Sequence, residues 1–311
     1  MKTDKPIVSV CMITYNHEKY ITQAIESIVS QKCNFPIELI IGEDCSTDDT
    51  RRICIEYQDK YPQIIRLLLP DSNLGVMGNF TETIMESKGK YIALCEGDDY
   101  WTDELKLQKQ IDFLEANQIY VISYHNSMIL KGDQFYGKVL TETGNLSPDD
   151  IFLGKIIPTQ TVVFRNLKKE LPESFKRVFN GDTYLFCWLA NQTNKGAYFH
   201  SDIKDSVYRH HDGGVWSKTS LHQKYNRSLN TMTVLFEEFP VYRYSIKKRL
   251  IQMFEQYCGH NISVVGKIVY FFKIQVFMLR SLQLGFAFLL LKKKVKMLYL
   301  RKNDCKYRHR I

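Results

Sequence analysis

The first 125 residues alternate short β-branched, apolar runs with amphipathic helical patterns. That alternation restricts the chain to repeated βαβ units around a mostly parallel sheet. Strands are expected at 7–14 (IVSVCMIT), 37–42 (IELIIG), 64–69 (IIRLLL), 91–95 (YIALC) and 120–124 (YVISY). Between the first two, Tyr20, Ile21, Ala24, Ile25, Ile28 and Val29 repeat with the period of a helix that buries one face. Further helices are expected over 50–60, 78–87 and 103–117, with Ser46 and Asp49 spaced as a capping box and Thr102 placed as an N-cap.

Beyond about residue 126 the alternation fails, and turn-rich segments such as LKGDQFYGK separate shorter elements. A strand is expected at 160–164, a helix at 182–191 and a strand at 207–210. Long helical patterns run from Leu221 onward. The chain therefore reads as an α/β region over 1–220 and a helical C-terminal region over 221–311.

A formal charge of +8 raises the question of a polyanionic partner, and its placement answers it. Residues 292–311 hold nine Lys or Arg against the single acid Asp304, which accounts for the whole excess. The body is neutral, and nucleic acid is not expected as a partner. The eight cysteines show no metal-ligand spacing and read as free thiols of a reducing compartment. The first residues carry no apolar stretch of signal-peptide length, so the expected location is cytoplasmic.

In an open parallel sheet, ligands collect at the carboxyl ends of the strands. The polar residues Thr14 to His17, Glu43 to Asp48 and Glu96 to Asp99 follow the first, second and fourth expected strands. No GxGxxG or GxxxxGK[ST] signature is present to support dinucleotide or P-loop chemistry. Glu96-Gly97-Asp98-Asp99 places carboxylates so that a hard divalent cation, Mn²⁺ or Mg²⁺, is the natural ligand. Taken alone, the same four residues also read as a solvated acidic turn.

Four segments in order, VSVCMITYN, ELIIGEDCSTDDT, NLG at 73–75 and GKYIALCEGDDYW, resemble the N-terminal half of the family-2 glycosyltransferases. The resemblance implies the A-type fold, a Rossmann-like, mostly parallel sheet flanked by helices, here with a helical C-terminal extension. It also implies a nucleotide-sugar donor, UDP-linked in the first instance, and a cation on its diphosphate. Thr14, Tyr15, Glu43 and Asp44 would meet the nucleoside, and Asp98 the metal and diphosphate. Glu96 and Asp98 fall on the outer acids of the Asp-x-Asp motif, with Glu43 and Glu96 each replacing the more usual Asp.

In the second half, FNGDTYLFCWLA resembles the acceptor-side helix, whose leading acid, Asp182, would be the catalytic base of an inverting transfer. VYRHHDGGVWS resembles the segment that closes over the donor and offers His211 as a metal ligand. Thr159, Gln160 and Trp216 are candidates for acceptor contacts. The expected acceptor is a saccharide or lipid-linked saccharide of cell-surface polysaccharide synthesis. Two alternatives stay open: a sugar nucleotidyltransferase, although the loop TYNHEKY lacks the glycines that would hold a triphosphate, and a non-catalytic nucleotide- or saccharide-binding subunit of a membrane assembly complex. Residues 264–311 join an apolar helical stretch to a cationic run. They read as an interfacial contact with anionic lipid on the inner face of the cytoplasmic membrane, or as a helix packed on the catalytic region or in a homodimer.

Overall fold

The computed structural model describes residues 5–167, 171–260 and 262–280. The chain divides between Lys224 and Tyr225 into two compact units.

The first unit is built on a seven-stranded sheet. Its first half contains β1 (Val8–Thr14), α1 (Ile21–Val29), β2 (Ile37–Glu43), α2 (Thr50–Lys60), β3 (Ile65–Leu68), α3 (Gly75–Met85), β4 (Tyr91–Leu94) and α4 (Lys106–Ala116). The second half adds β5 (Ile122–Tyr124), β6 (Ser127–Lys131), β7 (Gln134–Lys138), α5 (Pro148–Leu153), β8 (Val163–Arg165), α6 (Gly181–Ala190), β9 (Ala197–Phe199), β10 (Ser206–Arg209) and α7 (Val215–Lys218). The sheet order is β3-β2-β1-β4-β8-β5-β9, parallel except where β8 pairs antiparallel with β4 and β5. This is the expected fold class, a mostly parallel sheet flanked by helices.

The central strands are buried along nearly their whole length, as strands covered on both faces must be. Helix α1 buries Ile21, Ala24, Ile25 and Ile28. Each isoleucine contributes about 1.5–3 kcal/mol on leaving water. The β1 carboxyl end aligns with that of β2, Thr14 opposite Glu43. The two loops that follow therefore emerge side by side.

Several expectations shift. Strand β8 is inserted between β4 and β5. Arg165 at its end explains the insertion: the guanidinium donates to Tyr120 O (2.9 Å), Tyr91 Oη (2.9 Å) and Leu114 O, tying the strand to the end of α4. The expected strand at 160–164 begins instead with a 3-10 turn at Thr159–Thr161, launched by Pro158. The turn-rich LKGDQFYGK is a hairpin of β6 and β7 around Gly132, whose φ of 57° suits a tight connection. Ser46 does not cap α2; Asp48 accepts from Thr50 N (3.0 Å) and Thr50 Oγ1 (2.6 Å) there. Thr102 donates to Asp205 O (2.7 Å) rather than capping α4. Cys11, Cys33, Cys45, Cys54, Cys95, Cys187 and Cys258 form no disulfide.

A smaller sheet, β10-β6-β7, joins β10 parallel to β6. A bridge between Tyr100 and Val207, with N–H···O distances of 3.3 and 2.9 Å, ties β10 to the loop after β4.

The second unit contains most of α8 (Leu221–Glu238), followed by α9 (Arg243–Gly259) and α10 (Val264–Arg280). Tyr225, Tyr257 and Tyr270 meet in an aromatic cluster with ring centroids 4.4–5.8 Å apart. Among the described residues, no helix is long and apolar enough to cross a membrane. The expected cationic tail over 292–311 lies outside the described residues, as do 281–291.

Candidate active site

The loops after β1, β2 and β4 converge at one edge of the sheet. Asn16 and Cys45, each two residues beyond its strand, adopt left-handed φ of 56° and 58°. Side chains there accept a strained backbone only where the surroundings hold it. The surroundings are explicit. Asn16 Oδ1 accepts from Thr47 N (2.8 Å), Asn16 N donates to Ser46 Oγ (2.9 Å), and Asp44 N donates to Thr14 O (3.1 Å).

Glu43 is fully buried, and its carboxylate is engaged by Arg51 Nε and by Ser46 N (2.7 Å), so it shapes the loop from within. Asp44 Oδ1 accepts from Leu74 N (2.6 Å), and its carbonyl oxygen accepts from Asn73 Nδ2 (2.8 Å). The NLG segment thereby anchors α3 against the β2 loop. Tyr15 projects from the same edge and is 44% exposed, leaving a face on which a planar ring can lie. Thr14 is buried.

Gly97 allows the acidic loop to approach β1. A Cβ at this position would lie 2.6 Å from Thr14 Oγ1 and 2.7 Å from Thr14 Cβ, closer than any side chain permits. Gly97 N donates to Ile13 O (3.0 Å). Glu96, Asp98 and Asp99 each place a carboxylate oxygen within 4.8 Å of the others. Such crowding opposes full ionisation. Burial and the charges of Asp98 and Asp182 push Glu96 up to about 8. Burial, reinforced by Asp98 and Glu96, drives Asp99 well above the carboxylate range.

Asp98 behaves differently. Burial pushes it upward, but the hydrogen bond with His211 and the proximity of His17 outweigh that effect and hold it below its ordinary value. His211 Nε2 lies 3.0 Å from Asp98 Oδ2, and His17 Nε2 lies 3.7 Å from the same oxygen. The β10 register delivers His211. Arg209 N donates to Asp99 Oδ1 (2.8 Å), and Arg209 Nη1 to Asp98 O (2.6 Å). The Arg209 guanidinium sits over Tyr20 and Tyr100 at 5.2 and 4.5 Å from their centroids.

A divalent cation fits this donor set. Asp99 Oδ2 is buried without a hydrogen-bond partner, and Asp98 is shared by two groups of donors, one with Glu96 and Asp99 and one with His17 and His211, with no Lys or Arg ion pair to the three carboxylates among the described residues. Asp98, Glu96 and His211, the sequence candidates, are brought together. His17 joins them without having been assigned a role from sequence; the only sign of it was its place just beyond the first strand.

On the acceptor side, Asp182 stands in the first turn of α6, where the helix dipole favours an anion. Thr159 Oγ1 donates to Asp182 Oδ2 (3.4 Å), and Thr183 N to Asp182 Oδ1 (2.6 Å). Thr159 is thus beside the candidate base. Gln160 is not an open contact: it is 2% exposed, its Nε2 donates to Ser127 Oγ (2.7 Å), and its carbonyl accepts from the buried Trp101 Nε1 (2.7 Å). Trp216, on the short α7, is 39% exposed.

Residues 9–184 match the model of glycosyl transferase family 2. An uncharacterised protein of Mycobacterium tuberculosis, Rv1520, is 35% identical over 216 residues, covering 67% of this chain and 60% of the relative. The chain thus spans about three fifths of the length of that relative. S. aureus TarS 1–349 in complex with UDP-GlcNAc superimposes with a TM-score of 0.65 at 17% identity, over 87% of this chain and 80% of that one. The mannosyltransferase PcManGT from Pyrobaculum calidifontis, in complex with GDP-Man and Mn²⁺, superimposes with a TM-score of 0.55 at 12% identity, over 94% and 87%. Both likenesses are of fold. With the family match covering more than half of the residues, the chain belongs to glycosyl transferase family 2.

Proposed function

We propose that the protein is a metal-dependent, inverting glycosyltransferase that moves a sugar from a nucleoside diphosphate, UDP in the first instance, to a hydroxyl of a saccharide or lipid-linked saccharide acceptor. The observation that carries this reading is the convergence of His211 and His17 on Asp98 Oδ2 at the carboxyl edge of the sheet, with Asp182 close enough for its charge to act on Glu96. The structures of similar fold solved in complex with UDP-GlcNAc, or with GDP-Man and Mn²⁺, support the substrate class.

The residues divide the work. Tyr15 offers its exposed face to the base, and Asp44, fixed by Leu74 N, faces the nucleoside side. Asp98, Asp99, Glu96 and His211 would hold Mn²⁺ or Mg²⁺, which supplies positive charge against the negative charge gathering on a departing diphosphate. Asp182 accepts the proton of the acceptor hydroxyl as its oxygen attacks the anomeric carbon from the face opposite the diphosphate. Thr159 holds that carboxylate in place. Attack from the opposite face inverts the anomeric centre.

The acceptor's location follows from the second unit. On α10, Val265, Val269, Phe272 and Val276 are exposed at spacings that form one stripe. The last three also line a groove of about 830 Å³ with Leu229 and Phe236. Residues 256–303 contain nine Lys or Arg and no Asp or Glu. An apolar stripe within an acid-free cationic stretch suits the inner, anionic face of a membrane, where lipid-linked acceptors would be met.

Thermal unfolding with UDP-, GDP- and dTDP-sugars, each with and without Mn²⁺, tests the donor reading. A rise in Tm with a UDP-sugar that requires Mn²⁺ is expected. No rise with any of the three overturns the reading.

A further inference from the structure

We propose that His17 is a second imidazole ligand of the cation, so that Asp98, His17 and His211 form a two-histidine, one-carboxylate site that selects Mn²⁺ over Mg²⁺. This inference rests on the proposed donor chemistry for the presence of a cation and adds the identity of the donors.

The ligand atoms of the three residues all lie within 4.8 Å of one another. His211 is hydrogen-bonded to Asp98 Oδ2, whereas His17 Nε2, at 3.7 Å, stands too far for a hydrogen bond. Among the described residues Nε2 makes no hydrogen bond, although the His17 side chain is only 14% exposed. A nitrogen that faces a carboxylate without bonding to it leaves room between them.

The rest of His17 is firmly held. Its Nδ1 lies 3.2 Å from Thr14 Oγ1, its N donates to Thr50 Oγ1 (2.8 Å), and its carbonyl accepts from Tyr20 N (2.8 Å) and Ile21 N (2.9 Å) at the start of α1. When Nδ1–H donates to the threonine hydroxyl in the neutral ring, the lone pair of Nε2 is free for a cation. Metal-bound histidines are oriented by the same device, a partner on the other ring nitrogen. Tyr20 restrains both rings, with centroids 4.6 Å from His211 and 6.4 Å from His17.

Donor type determines the metal. Mg²⁺ favours oxygen ligands and retains its waters, whereas Mn²⁺, although also drawn to oxygen, stands in the first-row series of divalent metals that N/O/S sites bind and accepts imidazole beside carboxylate more readily than Mg²⁺ does. Two imidazoles beside one carboxylate therefore bias the site toward Mn²⁺ over Mg²⁺. Asp98 also belongs to a second group with Glu96 and Asp99, whose Oδ2 is buried without a hydrogen-bond partner.

The test is Mn²⁺ titration of the full chain followed by electron paramagnetic resonance, with and without UDP, with spin-echo modulation used to count coordinated nitrogens. In the wild-type protein two imidazole nitrogens are expected, with Mn²⁺ only weakly displaced by Mg²⁺. His17→Gln should leave one nitrogen and weaken Mn²⁺ binding by about tenfold or more, with a smaller effect on Mg²⁺. Wild-type protein that binds Mn²⁺ with a single nitrogen overturns the role of His17 and leaves the metal-dependent reading standing. Failure to bind Mn²⁺ under either condition overturns both. The wild-type spectrum alone decides the nitrogen count, so the result does not depend on the variant folding.

Discussion

His211 Nε2 lies 3.0 Å from Asp98 Oδ2 across 113 residues of sequence. The contact exists because β10 bridges to Tyr100 and Arg209 is pinned to Asp99 Oδ1. It couples the closing segment of the second half to the acidic loop of the first. Replacing Asp98 with Asn should remove the one acid held ionised at the centre of the cluster. Mn²⁺-dependent UDP affinity, measured by calorimetry, is expected to fall by about 2 kcal/mol or more, or roughly thirtyfold.

Asp182→Asn should separate chemistry from binding. The amide keeps the shape of the carboxylate but cannot accept the acceptor proton. Turnover is expected to fall by about 10²–10⁴-fold, with the UDP-sugar affinity nearly unchanged. Parallel measurement of kcat and donor Kd checks this split.

Gly97→Ala tests the close approach of the acidic loop to β1. The new methyl would meet Thr14, the same residue that orients His17. A loss of about 1–3 kcal/mol in urea unfolding is expected, together with weakened Mn²⁺ binding.

Lys106 yields a prediction about pH. Its ammonium is fully buried, 4.1 Å from the Trp101 ring centroid, with Gln110 Oε1 as its hydrogen-bond acceptor at 2.7 Å. Burial pulls its pKa down from 10.5 to about 7. Below pH 7 both folded and unfolded chains hold the proton, and the folded state bears the burial cost in full. Between about 7 and 10.5 only the unfolded chain holds it, so this lysine destabilises the fold progressively less as pH rises. Lys106→Met should therefore gain most stability below pH 7. The gain should shrink by up to about 1.4 kcal/mol per pH unit above it. Denaturant unfolding of both proteins at pH 6.5, 7.5 and 8.5 would show parallel curves if the buried amine did not titrate this way.

The stripe on α10 predicts lipid dependence. Val269→Asp with Phe272→Asp should reduce flotation with phosphatidylserine vesicles and leave soluble-donor binding intact. Equal flotation of both proteins would remove α10 from the contact.

The βαβ half of the fold was legible because period-2 and period-3.6 patterns alternate cleanly there, and the strands are buried on both faces. What followed residue 126 was less so. Strand β8 is three residues long, and its position between β4 and β5 is decided by Arg165 reaching the end of α4, a contact 51 residues distant in sequence. At the site, Asp98, His211 and Asp182 were visible as motif positions. His17 was not, because its significance lies in a carboxylate 81 residues further on. Gln160 shows the opposite failure: an amide beside an expected acceptor strand looks like a sugar contact, but the 3-10 turn at Thr159–Thr161 directs it to Ser127.

Release of UDP from UDP-sugars, followed with and without Mn²⁺ in the wild-type protein, Asp98→Asn and Asp182→Asn, tests the central claim most directly. Mn²⁺-dependent UDP release by the wild-type protein, increased by a saccharide or lipid-linked acceptor and lost in both variants, is the predicted result. Release that is independent of Mn²⁺ and unaffected by either substitution would contradict it.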